Sequence, residues 1–281
     1  MIFSSRRRFL CSTAAALGAP LSGHSAGPLS GRIKIAVKYH MILEPELSVK
    51  EKLEMLREVG FDGVELKVDE KIDLNEIEAA SRDTGFPVHG IVNASHEDIR
   101  PAVELAHRLG CDSVLVLARE FPDLTYGENF SRWQKNVRTV LPLAEKHGIK
   151  LCIENVRATF LKTAEKMVSF IDSFESPVVR SYFDLGNTIT WTEQPAEHWA
   201  EVLGERVYKL DIKDRGHSEF GEAERKRDGA VGTNGGEVHW ERVRKILDRN
   251  NYSGWGTAEV PGGDRERLKR MAGWMRDVLD L

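Results

Sequence analysis

The sequence is short of the features that mark several common protein classes. It holds three cysteines in 281 residues, Cys11, Cys111 and Cys152. That is too few for a disulfide framework, so an apolar core has to hold the fold. No apolar run is long enough to span a membrane as a mature helix. No glycine-rich phosphate loop or dinucleotide fingerprint follows a candidate strand, which counts against the open-sheet nucleotide folds. No serine has the strand-end setting of a Ser/His/Asp nucleophile. Beyond the first thirty residues no Pro/Gly/Ser-rich linker, charge block, internal repeat or low-complexity tract divides the chain, which reads as one domain.

The first residues read differently. Ser5-Arg6-Arg7-Arg8-Phe9-Leu10 precedes a small-residue apolar run through Leu21, the layout of a twin-arginine export signal. The alternative is a basic helix packed on the domain. Residues 1–26 are expected to be the signal, with cleavage between Gly18 and Gly27. The partner would be the twin-arginine export machinery, and the destination periplasmic or otherwise exported. Leu10 before Cys11 is a poor lipoprotein site, so release without a stable membrane anchor is expected. Loss of the segment removes three arginines and no acid, taking the formal charge from −4 to −7. A chain with that balance has no general attraction for nucleic acid.

From Ile33 onward, short apolar runs alternate with stretches of helical periodicity. The expected strands are 33–37, 61–66, 87–92, 113–117, 151–155, 181–184, 207–211 and 254–259. Helices are expected from Ser48, over 74–82, from a Ser95 cap, and over 129–147, 163–174, 196–203, 238–249 and 264–281. Eight such pairs predict an α/β fold, a single-domain (β/α)8 TIM barrel over residues 31–281. One loop, between Asp214 and Val238, is long, charged and glycine-rich, and reads either as a lid over the barrel mouth or as a solvated insertion.

Four strands end in an acid: Glu154, Asp184, Asp211 and Glu259. Parallel strands of a barrel end on one rim, so these carboxylates converge there. Four of them together repel unless a cation sits among them, and an all-oxygen set favours Mg²⁺ or Mn²⁺ over zinc. Lys209 and Lys213 share the face of Asp211 by alternation and can offset part of the charge. His89 reads either as a sugar contact or as a satisfied core histidine. Lys38, His40, Glu65 and Arg157 are candidate substrate contacts or merely structural. Trp240 and Cys152 read as packing residues.

Several motifs together resemble a known family. Phe61-Asp62-Gly63-Val64-Glu65-Leu66, Ile153-Glu154-Asn155, Phe183-Asp184-Leu185-Gly186-Asn187, Lys213-Asp214-Arg215, Gly236-Glu237-Val238-His239-Trp240 and Thr257-Ala258-Glu259-Val260 are similar to the xylose isomerase-like barrels of the sugar phosphate isomerase/epimerase superfamily. The resemblance implies that Glu154 and Glu259 are catalytic, and that they bind a divalent metal, Mn²⁺ or Mg²⁺, with Asp184. It also implies that Asp211 stands where the family has a ligating histidine, and Asn187 where a second histidine often follows. Candidate substrate contacts are Lys38, His89, Asn187, Lys213 and Arg215. The implied activity is isomerisation or epimerisation of an unphosphorylated carbohydrate through an enediolate. A lyase or dehydratase of keto-sugars or ketoglycosides on the same enolate is the alternative, and a non-catalytic carbohydrate-binding barrel a third. An oligomer is compatible with all three.

Overall fold

The computed structural model describes residues 27–281 apart from 95, 193 and 216–235. The expected export signal and the body of the long loop lie outside the described residues. Strands β1 (Ile33–Lys38), β2 (Gly63–Lys67), β3 (Val88–Val92) and β4 (Ser113–Val116) alternate with helices α1 (Val49–Val59), α2 (Leu74–Thr84), α3 (Arg100–Leu109) and α4 (Tyr126–His147). Next come β5 (Lys150–Glu154), α5 (Ala164–Asp172) and β6 (Val179–Asp184), then α6 (Leu185–Trp191) and α7 (Ala196–Leu203). The chain ends with β7 (Val207–Ile212), α8 (Trp240–Arg249), β8 (Gly254–Ala258) and α9 (Arg265–Leu279). All neighbouring strands are parallel, and β8 pairs back onto β1 with Val37 opposite Ala258, which closes the ring. The expected (β/α)8 barrel is the fold found.

Helix boundaries follow local chemistry. Ser48 and Glu51 form a capping box at α1, and Thr125 and Glu128 another at α4. Gly148 ends α4 at φ 68°, a left-handed conformation that glycine adopts without strain. Two expectations need correction. Helix α3 starts at Arg100 after Ile99, later than expected, with Pro101 in its first turn and no side-chain cap; Ser95, the expected cap, lies outside the described residues. Helix α6 was not expected, because Gly186, Thr188 and Thr190 are weak helix formers. It starts because Asp184 caps it, accepting from the Asn187 N–H at 2.8 Å.

The apolar faces of helices and strands meet between the two rings, with Leu53, Leu56, Val103, Ala106, Trp133, Phe170, Trp199 and Met271 all buried. The barrel interior is unusually polar. Lys209, fully buried, donates to His89 Nδ1 at 2.7 Å and to the His89 carbonyl at 2.9 Å, and pairs with Asp112 at 2.6 Å. An ammonium only donates, so Nδ1 accepts and Nε2 carries the proton, which it offers to Thr257 Oγ1 at 3.2 Å. Thr257 meets the Tyr182 hydroxyl at 2.9 Å, and that hydroxyl reaches Glu65 at 3.1 Å. A buried chain of this kind is tolerated only where each member is paired. It also corrects the reading of His89 as a substrate contact. The ring is stacked on Trp255 with centroids 4.4 Å apart, deep in the barrel, and burial with the Lys209 charge holds it well below the ordinary histidine pKa.

Candidate active site

The four strand-end acids converge. Glu154 closes β5 and Asp184 closes β6; Asp211 is the fifth residue of β7, and Glu259 follows β8. One carboxylate oxygen from each lies within 4.8 Å of the other three. Asp184 and Asp211 are fully buried, and Glu154 is nearly so. Asn155 fixes the geometry between β5 and β6: its amide donates to the Asp184 carbonyl and accepts from the Asp184 N–H, both at 2.8 Å. Gly186 lets the β6 end pack against β7, since a Cβ there would lie 2.5 Å from Lys213 Cγ.

Two lysines share the cluster. Lys38 Nζ lies 3.1 Å from Asp211 and 2.8 Å from Glu259. Lys213 Nζ lies 2.9 Å from Asp184 and 2.9 Å from Glu259. Four carboxylates against two ammonium groups leave a formal charge of −2. One buried acceptor, Asp211 Oδ1, has no hydrogen-bond partner. A divalent cation fits both facts: hard oxygen donors, a balancing charge and an open acceptor.

Without such an ion the acids shift apart. Burial, then repulsion from Glu259, raises Glu154 to about 7. Burial also raises Asp184 and Asp211 well above the ordinary carboxylate range, against the pull of Lys213 and Lys38 respectively. Glu259 goes the other way, because the lysines and a hydrogen bond from Asp184 outweigh its burial. Lys213 is held charged, burial being overcome by Asp184 and Glu259.

Above the acids opens a cavity of about 470 Å³. Glu154, Glu259, Lys38 and Lys213 line it, together with His40, Lys67 and an apolar wall that includes Val92, Leu115 and Val156. Of the expected substrate contacts, Lys38 and Lys213 face this space. Asn187 does not line it; it stands behind Glu154, its amide 3.4 Å from Oε1, and serves position instead. Arg215 does not line it either. Its carbonyl accepts from the Glu237 N–H at 3.0 Å, beside Asp214, which accepts from Glu237 N, Val238 N and Trp240 Nε1. Those contacts clip together the two ends of the long loop and explain the Lys-Asp-Arg and Gly-Glu-Val-His-Trp motifs. Sequence reasoning missed Asn155 as a clamp and Lys67 as a lining residue. Glu65, weighed as a substrate contact, lies in the buried chain under the mouth.

A family description, xylose isomerase-like TIM barrel, matches residues 53–278. The chain belongs to that family. A stretch of 122 residues is 28% identical to inosose dehydratase from Clostridium perfringens, covering 40% of this chain. The match spans about two fifths of that relative's length (41%). Solved structures share the fold at lower identity. The 3-keto-D-glucoside 4-epimerase from E. coli superposes with a TM-score of 0.69 at 18% identity, over 87% of this chain and 99% of the epimerase. A D-psicose 3-epimerase solved in the presence of D-fructose gives 0.70 at 16% identity, over 88% and 100%. In this xylose isomerase-like chain β7 contributes Asp211 to the carboxylate cluster, with Lys38 as its ion partner.

Proposed function

We propose that this protein is an epimerase or isomerase of unphosphorylated carbohydrates that moves a proton on a carbon next to a carbonyl. The observation that carries the reading is the convergence of Glu154 and Glu259 from β5 and β8 onto one cavity floor, with Asp184 and Asp211 beside them. Glu154, Asp184, Asp211 and Glu259 would hold a divalent cation, Mn²⁺ or Mg²⁺, which when bound supplies a Lewis acid for the sugar's carbonyl and neighbouring hydroxyl oxygens. Glu259, kept ionised between Lys38 and Lys213, is the proton acceptor on one side of the bound sugar. Glu154 delivers its own proton from the other, and exchange with solvent resets both carboxyl groups. Return to the same carbon inverts a stereocentre; return to its neighbour exchanges aldose and ketose. Lys38 and Lys213, facing the cavity, donate hydrogen bonds to sugar oxygens, and Asn187 holds Glu154 in place.

The export layout of the first 26 residues supports a periplasmic or otherwise exported setting, where phosphosugars are scarce. The test is deuterium wash-in. The purified protein is incubated in D₂O with D-fructose, D-psicose or a 3-keto-glucoside, with and without Mn²⁺, and followed by NMR. Exchange at the carbon beside the carbonyl is expected, and Glu154→Gln and Glu259→Gln should lower it at least ~10³-fold. No exchange into any of these sugars, or full exchange by both variants, sinks the reading. The partial similarity to an inosose dehydratase favours one second reading, a lyase on the same enolate, which the same spectra separate by an unsaturated product.

A further inference from the structure

We propose that the β1–β2 side of the mouth, built on Lys67 with His40 beside it, is a carboxylate subsite, and that the substrate is a sugar acid that keeps a separate carbonyl, such as a uronate. This rests on the reading of the mouth as a sugar-enolising site and adds the substrate's charge to it.

Three lysines line the cavity, and two are already committed. Lys38 and Lys213 each bridge two carboxylates on the acidic side. Lys67 forms no ion pair among the described residues; Glu70 feels its charge but is not paired with it. Its root is fixed, because it is the last residue of β2 and shares by alternation the inward side of Glu65. The wall next to it is Val92, Ala94, Leu115, Leu117 and Val156, which offers no competing acceptor and keeps the local dielectric low.

His40 completes the corner without adding like charge. Burial, then the Lys67 and Lys38 ammoniums, holds its pKa to about 4, so at neutral pH it is an uncharged hydrogen-bonding group. One ammonium matches one negative charge. A phosphate, close to two charges, would face the four-acid wall with only half its charge met. A sugar acid lying across the cavity puts its carbonyl end over Glu154 and Glu259 and its carboxylate on Lys67, so the two unlike walls orient it.

The test is calorimetric titration of the full chain at pH 7.5 with D-glucuronate, D-gluconate, D-glucose and D-glucose 6-phosphate, repeated on Lys67→Met and Lys67→Arg. The acids should bind roughly tenfold tighter than D-glucose. The advantage should vanish in Lys67→Met, largely return in Lys67→Arg, and weaken with salt. Equal affinities, no measurable binding of either acid, or a preference that survives Lys67→Met overturns the subsite. Tighter binding of the phosphate than of the carboxylates overturns the assignment to a carboxylate. Deuterium wash-in on D-glucuronate and D-glucose, which have a carbonyl to enolise where D-gluconate has only its carboxylate, keeps the two readings apart. Preference for acids without exchange leaves the subsite and removes enolisation, while exchange without preference does the reverse.

Discussion

Lys38 is the residue on which the charge balance of the mouth turns. Its ammonium is nearly buried and touches both Asp211 and Glu259, so replacing it with methionine leaves the buried Asp211 without its cation and Glu259 with Lys213 alone. Breaking a buried pair from one side costs about 3 kcal/mol. The same change takes the formal charge of the cluster from −2 to −3, which should draw a divalent ion in more strongly. Lys38→Met is therefore expected to melt earlier than wild type in EDTA and to bind Mn²⁺ at least ~10-fold tighter by calorimetry. Unchanged Mn²⁺ affinity would show that the lysine and the ion do not share these carboxylates. Little of this pairing was legible beforehand. The acids stood out because each ends an apolar strand, and Lys209 and Lys213 followed from alternation along β7. Lys38 meets Asp211 only because the ring closes between β8 and β1, and no local pattern in the sequence states that contact.

At the scale of elements, strand order was readable and depth was not. Alternating apolar runs and helical periods gave eight strand-helix pairs, because burial on both faces makes each strand a short apolar run. How high a residue stands in the barrel depends on register between strands, which slips at Val64/Glu65 and at Ser181/Tyr182. That is why His89, read as a mouth residue, lies on the Lys209 ammonium deep inside. It is also why α6 escaped notice: its start depends on Asp184 as cap and on Asn155 holding the Asp184 backbone, not on helix propensity. Asn155→Ala strips both buried Asp184 backbone groups of their partner. We expect a loss of about 3 kcal/mol in urea unfolding, with metal affinity reduced because β5 and β6 no longer share a fixed spacing. A loss under about 1 kcal/mol would mean that water or another side chain takes the place of the amide.

For the whole molecule, the acid cluster makes stability depend on pH and on divalent ions together. Glu154 has its pKa raised to about 7, and burial raises Asp184 and Asp211 as well. An acid whose folded pKa lies above its unfolded value keeps its proton longer in the folded state. As pH rises through the unfolded pKa, near 4.3 for a glutamate, the unfolded chain gives up its proton first and the folded state loses ground until it ionises too. Without metal, stability should therefore fall between about pH 4.5 and 7, with Glu154 alone contributing on the order of 3 kcal/mol. A bound divalent ion stabilises the ionised cluster, so Mn²⁺ should raise the melting temperature more at pH 7.5 than at pH 5. Melting curves at pH 5, 6, 7 and 7.5, in EDTA and in excess Mn²⁺, measure both effects. A melting temperature in EDTA that rises steadily over this range, with no larger Mn²⁺ shift at the upper end, would contradict a cluster that exchanges protons for a divalent cation.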